Sequence, residues 1–206
     1  SGKSTLVPQW MLDHVLPRAD STVRAEGCKQ PLYRIAVLQP RRINATSLAE
    51  HVAECRLVGV GSEVGFHLGH GVRKRSERTQ IVYMTHGLFI RMAGCPEGLV
   101  ASFDAVIVDE VHERSQEVDI ALALLKEALT LQVGEPSLRA ADKRFRVVVM
   151  SATIGGEAER LQRYLDPTGG LKEHSIVCHF DDVFNFPVYI HRRSDLDPLA
   201  PGMREA

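Results

Sequence analysis

Short runs of apolar, mostly β-branched residues punctuate this chain, and between them lie stretches whose apolar positions recur every three to four residues. The runs have the length of strands and the stretches that of helices, an alternation that predicts a parallel sheet covered by helices. Strands are expected at Arg34–Leu38 (RIAVL), Gln80–Met84 (QIVYM), Ala105–Asp109 (AVIVD), Arg146–Met150 (RVVVM) and around Ser175–Cys178 (SIVC). Leu48, Val52 and Cys55 share one helical face, and Val118, Ala121, Leu122, Leu125 and Leu129 share another, each at the spacing of a core-facing stripe. Val133–Arg144 (VGEPSLRAADKR) has no periodicity and carries Gly and Pro, so it reads as a surface loop. No segment repeats and no tract is of low complexity.

Composition narrows this picture in four ways. A chain of 206 residues with 44% apolar content is large enough for one α/β domain with a proper core. No apolar run is long enough to span a bilayer and no charged-then-apolar leader opens the chain, so no membrane partner and no secretion are expected. The net charge is −1, so binding to nucleic acid has to rest on locally placed Arg and Lys. Cys28, Cys55, Cys95 and Cys178 lie far apart without paired spacing, which argues against a zinc site or a disulfide framework. A reducing compartment, cytoplasm or nucleus, is expected.

Candidate chemistry appears at two places. SGKST at the start is the back half of a phosphate-binding loop, whose full pattern begins four residues earlier with another glycine. The chain is therefore expected to be a segment of a longer protein that begins inside that loop. Backbone amides of Gly2, Lys3 and Ser4 would cradle phosphates at a helix N-terminus, Lys3 would neutralise charge and Ser4 would ligate Mg2+. The second place is AVIVDEVHERS. A buried strand there delivers Asp109 and Glu110 at its carboxyl end, where ligands bind in open α/β sheets. Asp109 would hold Mg2+ through its water shell, and Glu110 would orient and deprotonate the water that attacks a γ-phosphate.

Asp109-Glu110-Val111-His112, followed by Glu113 and Arg114, resembles the DExH box of the DEAH/DExH helicases of superfamily 2, in a DEVH form. Further motifs agree in order. SGKSTLVPQW resembles the first motif, QPRRINATSLAEHVA motif Ia, YMTHGLFIR motif Ib and MSATI motif III, while VGFHLGHGVR resembles a turn-forming segment of the family. His86 stands where many members have Asp, and Phe66 where Tyr is common.

The resemblance implies an α/β RecA-like P-loop NTPase domain, a mostly parallel sheet flanked by helices on both faces, over residues 1–180. Residues 181–206, with NFPVYIHR, would be an exit strand and linker toward a second RecA-like domain. It implies ATP and Mg2+ as cofactors and RNA as partner, with DNA left open, together with an activator protein and 3′-to-5′ movement. Glu110, Asp109 and Lys3 would be catalytic, with Gly2, Ser4, Thr5, His112, Ser151 and Thr153 completing the nucleotide site. Arg41, Arg42, Thr85 and Gly87 would contact nucleic acid.

Elementary chemistry fits these assignments. Arg41 and Arg42 follow a strand at a helix start, where guanidiniums and the helix terminus both favour phosphate. Thr85 could contact a sugar-phosphate chain or cap a helix, and both readings stand. Ser151 and Thr153 end a strand beside Asp109 and suit a link between hydrolysis and the bound strand, or a plain strand-end cap. Two other function classes use part of the pattern. A P-loop phosphotransferase would use GKS and an acidic pair but has no work for PRR, THG or SAT. An RNA-binding scaffold with a non-hydrolytic nucleotide site would not need Lys3, Ser4, Asp109 and Glu110 together.

Overall fold

The computed structural model describes residues 2–16, 33–94, 96–134, 144–152 and 158–166. All of them belong to one compact unit, Gly2–Ile176; the second unit consists of Ser1 and Val177–Ala206. The first helix, α1 (Lys3–Trp10), runs directly into a π-helical turn, Met11–Val15. Then follow β1 (Ile35–Gln39), α2 (Arg42–Cys55), β2 (Val64–His67), β3 (Arg73–Lys74), β4 (Ile81–Thr85), α3 (His86–Ala93), α4 (Pro96–Ser102) and β5 (Ala105–Val108). A 3-10 turn, Val111–Glu113, leads into α5 (Gln116–Gly134), β6 (Arg146–Val149) and α6 (Ala158–Leu165).

The six strands form one sheet in the order β3-β2-β4-β1-β5-β6. All pairings are parallel except β2 with β3. In β1 every residue is buried, which is why its sequence reads as an unbroken apolar run instead of an alternation. Its side chains divide by parity. Ile35 and Val37 pack on one face with Met11 and Leu12 after α1 and with Ala45, Ala49 and Val52 of α2. Ala36 and Leu38 pack on the other with Phe89 of α3, Leu99 of α4 and Val118, Leu122 and Leu125 of α5. The sheet is thus covered on both faces, as the alternating pattern requires.

Four of the expected strands are present with ends displaced by a residue, and Ser175–Cys178 and the NFPVYIHR segment lie outside the described residues. The stripe on α5 is buried as expected, with Leu129 at its margin. That on α2 needs correction, because Cys55 is exposed. The buried face is lined by Ala45, Ala49, Val52 and Ala53, about a quarter turn from the line through Leu48 and Cys55. Small side chains let this helix lie close to the sheet. The expected loop at Val133–Arg144 also starts late, since α5 runs through Gly134.

VGFHLGHGVR, read in sequence only as a turn, is a hairpin whose strands were missed. Phe66 pairs with Lys74 and His67 with Arg73, and Gly69, His70 and Gly71 turn the chain with positive φ. Gly65 is required in β2: a Cβ there would fall 2.3 Å from the carbonyl oxygen of Lys74.

Candidate nucleotide site at the carboxyl edge of the sheet

The carboxyl ends of β4, β1, β5 and β6 lie side by side. Gln39 is in register with Thr85, and Val108 lies between Leu38 and Val149. The chain leaves β1 on one side toward β2 and β4 and returns on the other as β5, which makes this edge the switch point of the sheet. Asp109, the first residue past β5, stays anchored through its amide to the carbonyl of Leu38 at 3.2 Å.

Asp109 is 1% exposed. A buried carboxylate requires hydrogen-bond donors, and three are present. Ser4 Oγ donates to Oδ2 at 2.5 Å, Gln39 Nε2 donates to the same oxygen at 2.7 Å, and the Glu110 amide donates to Oδ1 at 2.9 Å. Ser4 lies in the first turn of α1, whose leading amides have no carbonyl four residues back to bond. Gly2 precedes the helix in a left-handed conformation, φ 69°, and its carbonyl accepts the Leu6 amide at 2.8 Å. The Thr5 hydroxyl also turns back to that carbonyl, at 2.9 Å, so in this structure it closes the helix start.

Glu110 takes a left-handed conformation, φ 54° and ψ 39°, that ends the strand and begins the 3-10 turn. Its Oε2 is 3.2 Å from His112 Nδ1, and the same nitrogen is 3.3 Å from Ser151 Oγ. A protonated Nδ1 has both oxygens as acceptors, whereas an unprotonated one can only accept the serine hydroxyl. The Val111 amide donates to the Met150 carbonyl at 3.2 Å, which ties this turn to the segment after β6 that carries Ser151. Thr153 lies outside the described residues.

The expected nucleic-acid residues occupy the same edge. Arg41 precedes α2 and Arg42 is its first residue; both are exposed. Arg41 stands 3.8 Å from Glu113 Oε1, with its side chain 71% exposed, a solvated pair of small energetic weight that a phosphate can displace. Thr85 occupies the N-cap position of α3 but makes no capping hydrogen bond with its side chain. Gly87 faces Glu117, whose Oε1 would lie 2.8 Å from an added Cβ.

Two residues escaped sequence reasoning. Gln39 is buried and bonds Asp109, and Tyr83 donates its hydroxyl to the Ser4 carbonyl at 2.8 Å. The signal for Gln39 was a polar amide closing an apolar strand; for Tyr83, one polar atom in a fully buried one.

His86 is 1% exposed, and neither ring nitrogen has a partner. Burial pushes its pKa below the usual 6.5, against the opposing charges of Glu117, Asp109 and Glu113. The folded state thus binds fewer protons than the unfolded chain, so stability is present above the unfolded value and is lost as pH falls through the lowered one. His67 is lowered the same way, by burial and by Arg75 and Arg73. The expected result is that His86→Asn flattens the acid-side loss of stability in urea unfolding by up to about 1.4 kcal/mol per pH unit, leaving the share due to His67. Equal slopes in variant and parent would place the acid sensitivity elsewhere.

Among the described residues no helix is long and apolar enough to cross a membrane, and no group of three or more His, Cys, Asp or Glu could hold a metal ion. The paired oxygens of Ser4 and Asp109 instead suit a hard cation that takes few protein ligands and completes its shell with water and phosphate.

Comparison with known proteins bears on the family and the fold. The family model for the DEAD/DEAH box helicase matches residues 1–161. The Schizosaccharomyces pombe protein named "Putative ATP-dependent RNA helicase ucp12" is 38% identical over 185 residues, covering 89% of this chain and 12% of that protein. Human ATP-dependent RNA helicase TDRD9 is 34% identical over 154 residues, covering 75% of this chain and 10% of its own length. This chain therefore spans only about a tenth of those relatives. Among solved structures, the Escherichia coli DEAH/RHA helicase HrpB superposes with a TM-score of 0.57 at 30% identity, over 78% of this chain and 17% of that one. The shared fold, the ordered motifs and the match across most of its length together establish that the chain belongs to the DEAD/DEAH box helicase family.

Proposed function

We propose that this chain is the first RecA-like, ATP-binding domain of an ATP-dependent RNA helicase, binding ATP with Mg2+ at the edge formed by Ser4, Asp109 and Glu110. The observation that carries the reading is the buried Asp109 carboxylate joined to the Ser4 hydroxyl at 2.5 Å, with Glu110 next in sequence and half-exposed beside it. RNA as the strand follows from the relatives' names, ATP-dependent RNA helicases. In this proposal residues 1–180 form the domain, and 181–206 lead toward a second RecA-like domain that completes the site.

The residues divide the work as follows. Amides of Gly2, Lys3 and Ser4 bind the phosphates at the start of α1, and the Lys3 ammonium offsets their charge. Ser4, and Asp109 through water, would hold Mg2+, which when bound would supply neutralising charge to the phosphates. Glu110 orients a water and takes its proton as attack begins. His112 Nδ1 lies 3.2 Å from Glu110 and 3.3 Å from the Ser151 hydroxyl, so this one nitrogen links the segment after β6 to the carboxylate proposed to perform chemistry. Arg41, Arg42, Thr85 and Gly87 hold the sugar-phosphate chain without reading bases.

The test is phosphate release by the protein containing this chain, with and without RNA. Release stimulated by RNA, without phosphorylation of an acceptor, supports the proposal; transfer to an acceptor points to a phosphotransferase, and RNA binding without release to a scaffold. The nucleic-acid part has its own test. With Arg41 and Arg42 both changed to Ala, affinity should fall similarly for strands of unrelated sequence, and the slope of log affinity against log salt should shrink by about one to two units. An unchanged slope would return both residues to the solvated surface.

A further inference from the structure

Pro8 sits inside α1, five residues past its first. Proline has no amide hydrogen, so the Ser4 carbonyl lacks the donor that the eighth residue would otherwise give it, and the ring crowds that carbonyl outward. The Tyr83 hydroxyl meets it at 2.8 Å. Tyr83 is fully buried in β4, flanked by Val37 in β1 and Phe66 in β2, so its ring has no freedom to follow a moving helix. Burial, and secondarily the charge of Asp109, push its pKa upward, which keeps the hydroxyl protonated and donating. Ser4 is thus held at both ends: its carbonyl by Tyr83 and its hydroxyl by Asp109.

We propose that Tyr83 is a positioning residue for the cation site, standing in for the amide that Pro8 lacks and fixing the first turn of α1 so that the Ser4 hydroxyl lies against Asp109. This rests on the proposed nucleotide site, and it predicts a specific rescue. In Tyr83→Phe the Ser4 carbonyl loses the donor that reaches it from β4. In Pro8→Ala the new amide can bond that carbonyl within the helix, so Tyr83 becomes dispensable.

The experiment is a double-mutant cycle with Tyr83→Phe, Pro8→Ala and both together, in the full protein. A fluorescent ATP analogue is titrated with Mg2+ and again in EDTA, and urea unfolding is followed without nucleotide. Tyr83→Phe is expected to weaken Mg2+-dependent affinity about three- to tenfold, the range of one hydrogen bond, with affinity in EDTA changed less than about twofold. The double variant should return to within about twofold of Pro8→Ala alone, and unfolding midpoints should show the same non-additivity. A double variant no better than Tyr83→Phe, in binding and in unfolding, overturns the proposal. Equal losses with and without Mg2+ also overturn it, since they mark a residue that only supports the fold. A parent that binds no nucleotide at all refutes the functional reading, and the unfolding cycle then still decides whether Tyr83 replaces the missing amide.

Discussion

Replacing Glu110 with Gln should leave ATP binding close to that of the parent and lower the rate of hydrolysis by about 10²- to 10⁴-fold. The side chains have nearly the same shape, and an amide oxygen can still accept from His112 Nδ1 across the 3.2 Å that separates them now. The left-handed backbone at this position and the Asp109 hydrogen bond to its amide are untouched. What disappears is the capacity to take a proton from water. Single-turnover phosphate release alongside nucleotide titration separates the two effects. Normal hydrolysis by the variant would remove Glu110 from the chemistry.

Asp109→Asn should act differently, because the carboxylate is an acceptor on both oxygens. Oδ2 receives Ser4 and Gln39, and Oδ1 receives the Glu110 amide. An asparagine amide turned either way sets its own NH2 against one of these donors. If it faces the Glu110 amide, a backbone N–H is stranded in a buried site. If it faces Ser4 and Gln39, the serine hydroxyl can reverse its role, but the Gln39 amide has to turn over. A buried donor left unmatched costs about 1–3 kcal/mol, so the variant should unfold at lower urea by that amount. Nucleotide affinity should lose its Mg2+-dependent component as well. A variant with unchanged stability and unchanged Mg2+ dependence would mean that Asp109 is neither buried donor sink nor cation ligand.

The central strands could be read from sequence because each is covered on both faces, and complete burial writes an apolar run that periodicity detects. The same physics concealed the hairpin. Its short strand Arg73–Lys74 is wholly exposed, and its partner contains Gly65 for the sake of a neighbouring carbonyl, so neither carries an apolar signature. Asp109, Glu110 and Ser4 could be placed at one sheet edge because charged or hydroxyl residues directly follow apolar strands or open a helix. Gln39 and Tyr83 could not, since nothing in one chain says which side of a strand a lone polar atom faces or what meets it across the sheet. Cys55 failed for a related reason: a stripe of three positions fixes a helix face only to within a quarter turn, and small alanines, which carry little apolar signal, decided which face was buried.

With Glu110 as the proposed base, its left-handed backbone sets stability and turnover against each other at one position. A side chain there costs about 1–2 kcal/mol that glycine would avoid, and asparagine, which tolerates this conformation, would also reduce the strain. Selection for a hardier fold alone would therefore replace the carboxylate. On the role proposed for Glu110, a thermally improved variant gained at residue 110 is expected to lose turnover, which a hydrolysis assay beside the unfolding curve checks.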